Sequence, residues 1–260
     1  MDLEIAGRKA LVCGASKGMG QSCARLLARE GVNLVLVARH ESALQETAEV
    51  LRTTCGVEVE TLSADLSKAD GRQKVLAACP DPDILIHNGG WPEANGDYTQ
   101  WTRDDWIGAI DAMFLSPVEL ITGVVQGMSK RKFGRIVAIT SRFVKEPKLE
   151  LSLSVSPRLG LSGFMTAMAH EVARHNVTLN TALPGIIATE TQFQHGRNLA
   201  ERAGKSFDEI WRERSSTNSA NRFAEPEEFA SLCVYLCSRK AGFLTGQHIL
   251  CDGAGYPGVF

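Results

Sequence analysis

Short β-branched and aliphatic runs alternate with longer helical patterns from one end of the chain to the other. Lys9–Cys13, Asn33–Val37, Val57–Leu62, Ile84–His87, Arg135–Thr140, Thr178–Leu183 and His248–Cys251 read as strands. Gly18–Glu30, Glu41–Thr54, Lys68–Ala78, Arg103–Lys130, Gly160–His175 and Pro226–Ser238 read as helices. The first strands are unbroken apolar runs, the pattern of a sheet covered on both faces. Strand–helix alternation requires right-handed crossovers. It predicts a Rossmann-like α/β fold, a doubly wound parallel sheet of about seven strands with helices on both faces. At 260 residues one core still serves one domain, so a single domain over 1–260 is expected. The segment Thr189–Ala220 reads as polar and irregular, long for a connection, and suggests a lid around 189–220.

Composition narrows the function classes. With 44% hydrophobic and 22% charged residues the chain is not disordered, and a net charge of −2 gives no electrostatic basis for a nucleic-acid partner. Met1–Arg8 lacks a secretory pattern, and no uninterrupted apolar stretch approaches the roughly 18 residues of a membrane span, so no membrane partner is expected. Seven scattered cysteines suggest reduced thiols in a cytoplasm. Cys233 and Cys237 read as small buried hydrophobes. His170-Glu171 and His175 resemble a zinc motif only superficially. Histidines five apart diverge around a helix, and no metal site is expected.

The strand ending at Cys13 runs into Gly14-Ala15-Ser16-Lys17-Gly18-Met19-Gly20 and then a helix. Glycines let the backbone turn sharply and let a diphosphate approach. The helix N-terminus beyond supplies N–H donors and a positive dipole end. In this strand–turn–helix context the turn reads as a dinucleotide cradle. The second strand ends at Val37-Ala38-Arg39-His40, where an acid would hold the ribose 2′-hydroxyl of NADH. Arg39, helped by Lys17, suits a 2′-phosphate, so NADPH/NADP is expected over NADH.

At this point the chain resembles the short-chain dehydrogenase/reductase family over nearly its full length. Ala64-Asp65-Leu66 resembles the adenine-contacting segment. His87-Asn88-Gly89-Gly90 resembles the family's Asn-Asn-Ala-Gly, and Thr140-Ser141 the site of its catalytic serine. Asn180-Thr181-Ala182-Leu183-Pro184-Gly185 with Thr189 resembles the nicotinamide loop; Arg222–Glu228, Thr245-Gly246-Gln247 and Asp252-Gly253 match its C-terminal segment. The resemblance implies cofactor contacts from Gly14, Ser16, Lys17, Gly18, Met19, Gly20, Arg39, Asp65, Leu66, Asn88, Gly89, Arg158, Pro184, Gly185, Ile187 and Thr189. It also implies a homotetramer or homodimer.

The catalytic set departs from that pattern. The family's Tyr-x-x-x-Lys falls on Ser154 and Arg158, and its helix asparagine falls on Met113. Serine is a weaker acid than tyrosine, and arginine stays protonated and relays no proton. Ser154 and Arg158 share a face if both are helical. Pro157, however, belongs in a helix's first turn, which makes Ser156 a candidate N-cap and leaves Ser154 in the approach loop. Lys145, four residues after Ser141, is a further candidate cation, against the plain reading of a solvated loop lysine. Trp91, Phe143, Phe193 and Trp211 fall in segments that border the family's cleft, where they either favour an apolar or aromatic substrate or pack internally.

Three functions are compatible with these residues. The first is NADPH-dependent reduction of a ketone, a 3-oxoacyl compound included, with a non-standard proton donor. The second is an NADP-binding pseudo-enzyme or sensor with little redox activity of its own. The third is non-redox chemistry on the same scaffold. Family dehalogenases also carry arginine for lysine, but they keep the tyrosine and lose the glycine turn, the reverse of this chain.

Overall fold

The computed structural model describes residues 1–89 and 97–259. Its strands are β1 (Lys9–Cys13), β2 (Asn33–Ala38), β3 (Val59–Ser63), β4 (Ile84–His87), β5 (Gly134–Ile139), β6 (Val177–Pro184) and β7 (His248–Cys251). All pair in parallel in one seven-stranded sheet, ordered β3-β2-β1-β4-β5-β6-β7. The helices are α1 (Gly18–Arg29), α2 (Glu41–Cys55), α3 (Ala69–Ala78), α4 (Arg103–Ile110) and α5 (Ser116–Arg131). They continue with α6 (Ser152–Val172), α7 (Glu190–Ala203), α8 (Phe207–Ser215) and α9 (Pro226–Leu236).

Strand β1 shows why the apolar runs are continuous. Ala10 and Val12 enter the layer of α1 and α9, against Leu27, Phe229 and Cys233. Leu11 and Cys13 enter the layer of α5 and α6, against Leu120, Val124, Leu161 and Met165. Both faces are dry from Ala10 to Cys13, so each of those four positions is apolar. The chain winds outward from β1 to β3 and then returns to place β4 beside β1. That reversal opens a crevice beyond the carboxyl ends of β1 and β4, where ligands bind in such sheets. Cys233 and Cys237 are fully buried, as expected.

Three expectations need correction. The helix read over Arg103–Lys130 is interrupted by a π-turn at Asp111–Leu115. Pro117 lacks the N–H that Met113 would accept, and its ring crowds that carbonyl, so the ladder shifts there. Helix α6 begins at Ser152, five residues before Pro157, so Ser156 is not its N-cap and Ser154 is helical. Leu153 and Val155 are each 3% exposed. Burying two such side chains stabilises by roughly 1.5–3 kcal/mol each, which offsets the ~3 kcal/mol of an interior proline.

The segment read as irregular, Thr189–Ala220, holds α7 and α8 instead. Phe193, Phe207 and Phe223 all stack on Trp211, with ring centroids 3.7–5.2 Å away. This aromatic stack gives two otherwise polar helices a small core, and a Ser206–Glu209 capping box starts α8. The run Arg103–Arg131 also meets a membrane span's length and mean hydropathy, 1.5 over its best 18 residues. Its apolar stripe, Leu120, Ile121, Val124 and Met128, is buried against the sheet.

Arg135 anchors the opposite end of the sheet. It is 1% exposed and donates to the carbonyls of Ser238, Gly134 and Asn176 and to Asn176 Oδ1. Arg135→Met leaves those acceptors unsatisfied and is expected to cost about 3 kcal/mol in urea unfolding. The exposed Arg174–Glu171 pair is the control: Arg174→Ala is expected to change stability by less than about 0.5 kcal/mol.

Candidate active site

The crevice begins at the turn after β1. Gly14 has φ +66°, and a Cβ on it would lie 2.5 Å from the Asn88 carbonyl oxygen. A Cβ on Gly20 would lie 2.3 Å from the Gly14 carbonyl oxygen. The turn is therefore pressed onto Asn88 at the end of β4, a fit that only glycine permits. Helix α1 starts at Gly18 with no side-chain cap and no acid in its first turn. Its first N–H groups lack side-chain acceptors, and its end carries positive potential, as a diphosphate requires. Ser16 is half-buried, Lys17 is exposed and Met19 packs on the core. The Thr189 methyl reaches the turn, 3.2 Å from where a Gly18 Cβ would stand.

Arg39 directly follows β2, and its carbonyl accepts a bond from Ser63 Oγ at 3.0 Å. Burial works to raise the Asp65 pKa, but the Ser67 hydroxyl and N–H, Lys68 and Arg39 together hold it below its usual value. The Asp65–Leu66 segment is fixed from beneath. Arg72 donates to the Leu66 carbonyl at 3.0 Å while pairing with Glu119 at 2.7 Å. A Cβ on Gly71 would lie 2.1 Å from the Asp65 carbonyl oxygen. Pro184 ends β6, Gly185 N donates to the Cys251 carbonyl, and Ile187 is 3% exposed in a bridge to Ala224.

The residues after β5 face the same crevice. Ser141 is extended and caps a 3-10 turn, its Oγ accepting from Phe143 N at 3.3 Å. Because a backbone donor occupies the oxygen, the hydroxyl proton is available to another acceptor. On α6, Ser154 is 4% exposed and its Oγ accepts a close hydrogen bond from Arg158 Nη1. The i,i+4 spacing brings the two together, as the sequence suggested. Burial lowers the Arg158 pKa to about 10, so it stays charged at neutral pH. Arg158, Thr140, His87, Gly89 and Met113 line a cavity of about 10 Å³. It has room for one water, and Thr140 Oγ1 is buried there without a hydrogen-bond partner. A larger cavity of about 240 Å³ lies between α1 and α2, lined by Ser16, Gln21, Arg25 and Thr47, away from these groups.

Other candidates lie elsewhere. Lys145 lies toward His248, on the α6–β7 flank, whose pKa is lowered by burial and then by the Lys145 charge. Among the described residues its side chain makes no bond to Ser141, Ser154 or Arg158. Phe193 and Trp211 stack on each other with centroids 4.7 Å apart. Gly90 and Trp91 lie outside the described residues.

Sequence reasoning missed two participants. Thr140 carried no signal beyond its place before Ser141. His87 was visible as a histidine where the resemblance expects asparagine. Its Nε2 lies 3.4 Å from Ser116 Oγ, and burial, followed by the Arg158 charge, lowers its pKa to about 4.

His87 is thus neutral when folded, while its unfolded pKa is near 6.5. The unfolded state binds more protons between these values, so stability is lost as pH falls from about 6.5 toward 4. Between pH 7 and pH 5 this chain is expected to lose about 2 kcal/mol more than a His87→Asn variant in urea unfolding. Equal losses would show that His87 is not held neutral.

Comparisons with known proteins agree with this geometry. The profile of the family described as short chain dehydrogenase matches residues 8–200. The 3-oxoacyl-[acyl-carrier-protein] reductase FabG of Vibrio cholerae is 28% identical, covering 98% of this chain and 99% of its own. The NADPH-dependent reductase BacG of Bacillus subtilis is 27% identical, covering 97% and 99%. The L-sorbose reductase of Gluconobacter frateurii, solved with NADPH and L-sorbose, superposes with a TM-score of 0.94 at 28% identity over the whole of both chains. With a glycine cradle at the β1–β4 switch point, a serine after β5 and a family match over most of its length, the chain belongs to the short chain dehydrogenases.

Proposed function

We propose that this chain reduces a small carbonyl compound to an alcohol with NADPH, using Ser141, Ser154 and Arg158 in place of the family's tyrosine and lysine. One observation carries this reading: a half-buried, charged guanidinium bonded to a buried serine hydroxyl, on a helix packed against the Ser141 turn, at the mouth of the nucleotide crevice. When bound, the nicotinamide supplies a hydride. Gly14, Ser16, Gly18, Met19 and Gly20 cradle the diphosphate, and Arg39 with Lys17 holds the 2′-phosphate. Asp65 and Leu66 flank the adenine, while Asn88, Gly89, Arg158, Pro184, Gly185, Ile187 and Thr189 hold the nicotinamide half.

The remaining requirement is stabilisation of the alkoxide that develops as the carbonyl is reduced. Ser141 donates its hydroxyl proton to the carbonyl oxygen. Ser154 is polarised by Arg158, and its own proton points away from that bond. The guanidinium adds fixed positive charge, which counts for more in a water-poor site. Water held at Thr140 Oγ1 links these groups to solvent protons. An apolar or aromatic carbonyl compound, a 3-oxoacyl compound among them, fits this chemistry. NADPH-dependent reductase and 3-oxoacyl reductase activities named for BacG and FabG support the class.

Exposed Ile107, Ile110 and Leu115 on one helical run support a homodimer or homotetramer. Seven thiols without a disulfide support a cytoplasmic setting, and the single domain is proposed to span 1–260.

Loss of NADPH absorbance across a ketone panel tests the reading. Turnover of at least one ketone is expected, with Ser141→Ala and Arg158→Met each lowering kcat by about a hundredfold. NADPH binding without any turnover would favour a sensor. Product formation without cofactor oxidation would place the chemistry outside redox.

A further inference from the structure

We propose that Arg142, with Lys148 across the Phe143 ring, forms a subsite for a carboxylate on the carbonyl substrate. This rests on the reductase reading and extends it from any ketone to an oxo acid. Arg142 directly follows Ser141 and opens the 3-10 turn that Ser141 caps. It is only 8% exposed. Among the described residues no carboxylate lies within ion-pair distance of its guanidinium, and its one side-chain contact of note is the Phe143 ring, 4.9 Å away. Two other arginines near the crevice are differently placed: buried Arg72 is paired with Glu119, and half-buried Arg158 is bonded to Ser154. An arginine withdrawn from water without an acid carries an uncompensated desolvation cost. A ligand carboxylate gripped by two parallel bonds would offset that cost.

The surroundings of Arg142 are built. The chain end passes over it so closely that a Cβ on Gly255 would lie 2.2 Å from Arg142 Nη1. That roof is fastened on two sides. Tyr256 N donates to Asp252 Oδ2 at 2.8 Å. Ala220 N donates to the Gly253 carbonyl and Ser219 Oγ to the Ala254 carbonyl. A second cation meets the same ring, since Lys148 Nζ lies 5.4 Å from the Phe143 centroid. Glu146, the acid next on this loop, makes no ion pair with Arg142 or Lys148 among the described residues, and its Oε2 is buried without a hydrogen-bond partner. Two cations at one aromatic ring, in the turn that Ser141 caps, select a substrate whose negative group lies a few bonds from its ketone.

The test compares 2-oxo-4-phenylbutanoate with its ethyl ester, and acetoacetate with its methyl ester, on the intact chain with NADPH. In each pair the acid is expected to exceed the ester in kcat/KM by more than tenfold, with the difference in KM. Arg142→Met is expected to bring the ratio near one, Arg142→Lys to restore part of it, and Lys148→Met to lower it severalfold. NADPH titration of each variant shows that it is folded. Acid and ester turned over equally, or an unaltered ratio in Arg142→Met, would overturn the subsite. Calorimetric binding of 2-oxo-4-phenylbutanoate to the NADPH-loaded chain separates the two readings. Binding lost in Arg142→Met without turnover keeps the subsite and removes the reductase. Binding that is absent, or indifferent to Arg142, removes the subsite whatever turns over.

Discussion

The close approach of the first turn to the end of β4 is the constraint on which the site depends. Gly14 and Gly20 leave no room for a Cβ, so the turn lies on Asn88 and the α1 N-terminus projects into the crevice. That contact exists because the chain reverses its winding between β3 and β4 and so sets β4 beside β1. A larger residue at either glycine would lift α1 from the sheet and turn its uncapped N–H groups away from the diphosphate.

Everything catalytic is then arranged along the same edge. Strand β5 delivers Thr140 and Ser141 next to β4, and α6 lays Ser154 and Arg158 over them. The chemistry changes while the geometry stays. In the proposed reaction, where tyrosine and lysine would donate and relay a proton, a serine hydroxyl and a permanent cation would stabilise charge instead. His87 stays neutral so close to Arg158 because burial makes a second positive charge there expensive.

Much of this was legible in the sequence, for physical reasons. A sheet dry on both faces writes itself as apolar runs, and β1, β4 and β7 were placed to the residue. The glycine turn was legible because backbone closeness demands a particular residue type. Local rules failed where tertiary burial opposed them. Pro157 signalled a helix start, yet Leu153 and Val155 pulled the helix one turn further back. The polarity of 189–220 hid α7 and α8, because their core is a stack of four aromatics spread over 31 residues of sequence, from Phe193 to Phe223. Arg142 looked like any loop arginine, since burial by a chain end 113 positions away leaves no local trace.

The central claim is that this crevice holds a dinucleotide by its diphosphate and selects it by a 2′-phosphate at Arg39. Equilibrium titration of the unmodified chain with NADPH and NADH, followed by nicotinamide fluorescence, tests it most directly. Saturable binding is expected for both, with NADPH at least tenfold tighter, and with that advantage shrinking as salt is raised. Absence of saturable binding for either coenzyme, or an equal or greater affinity for NADH, would contradict it.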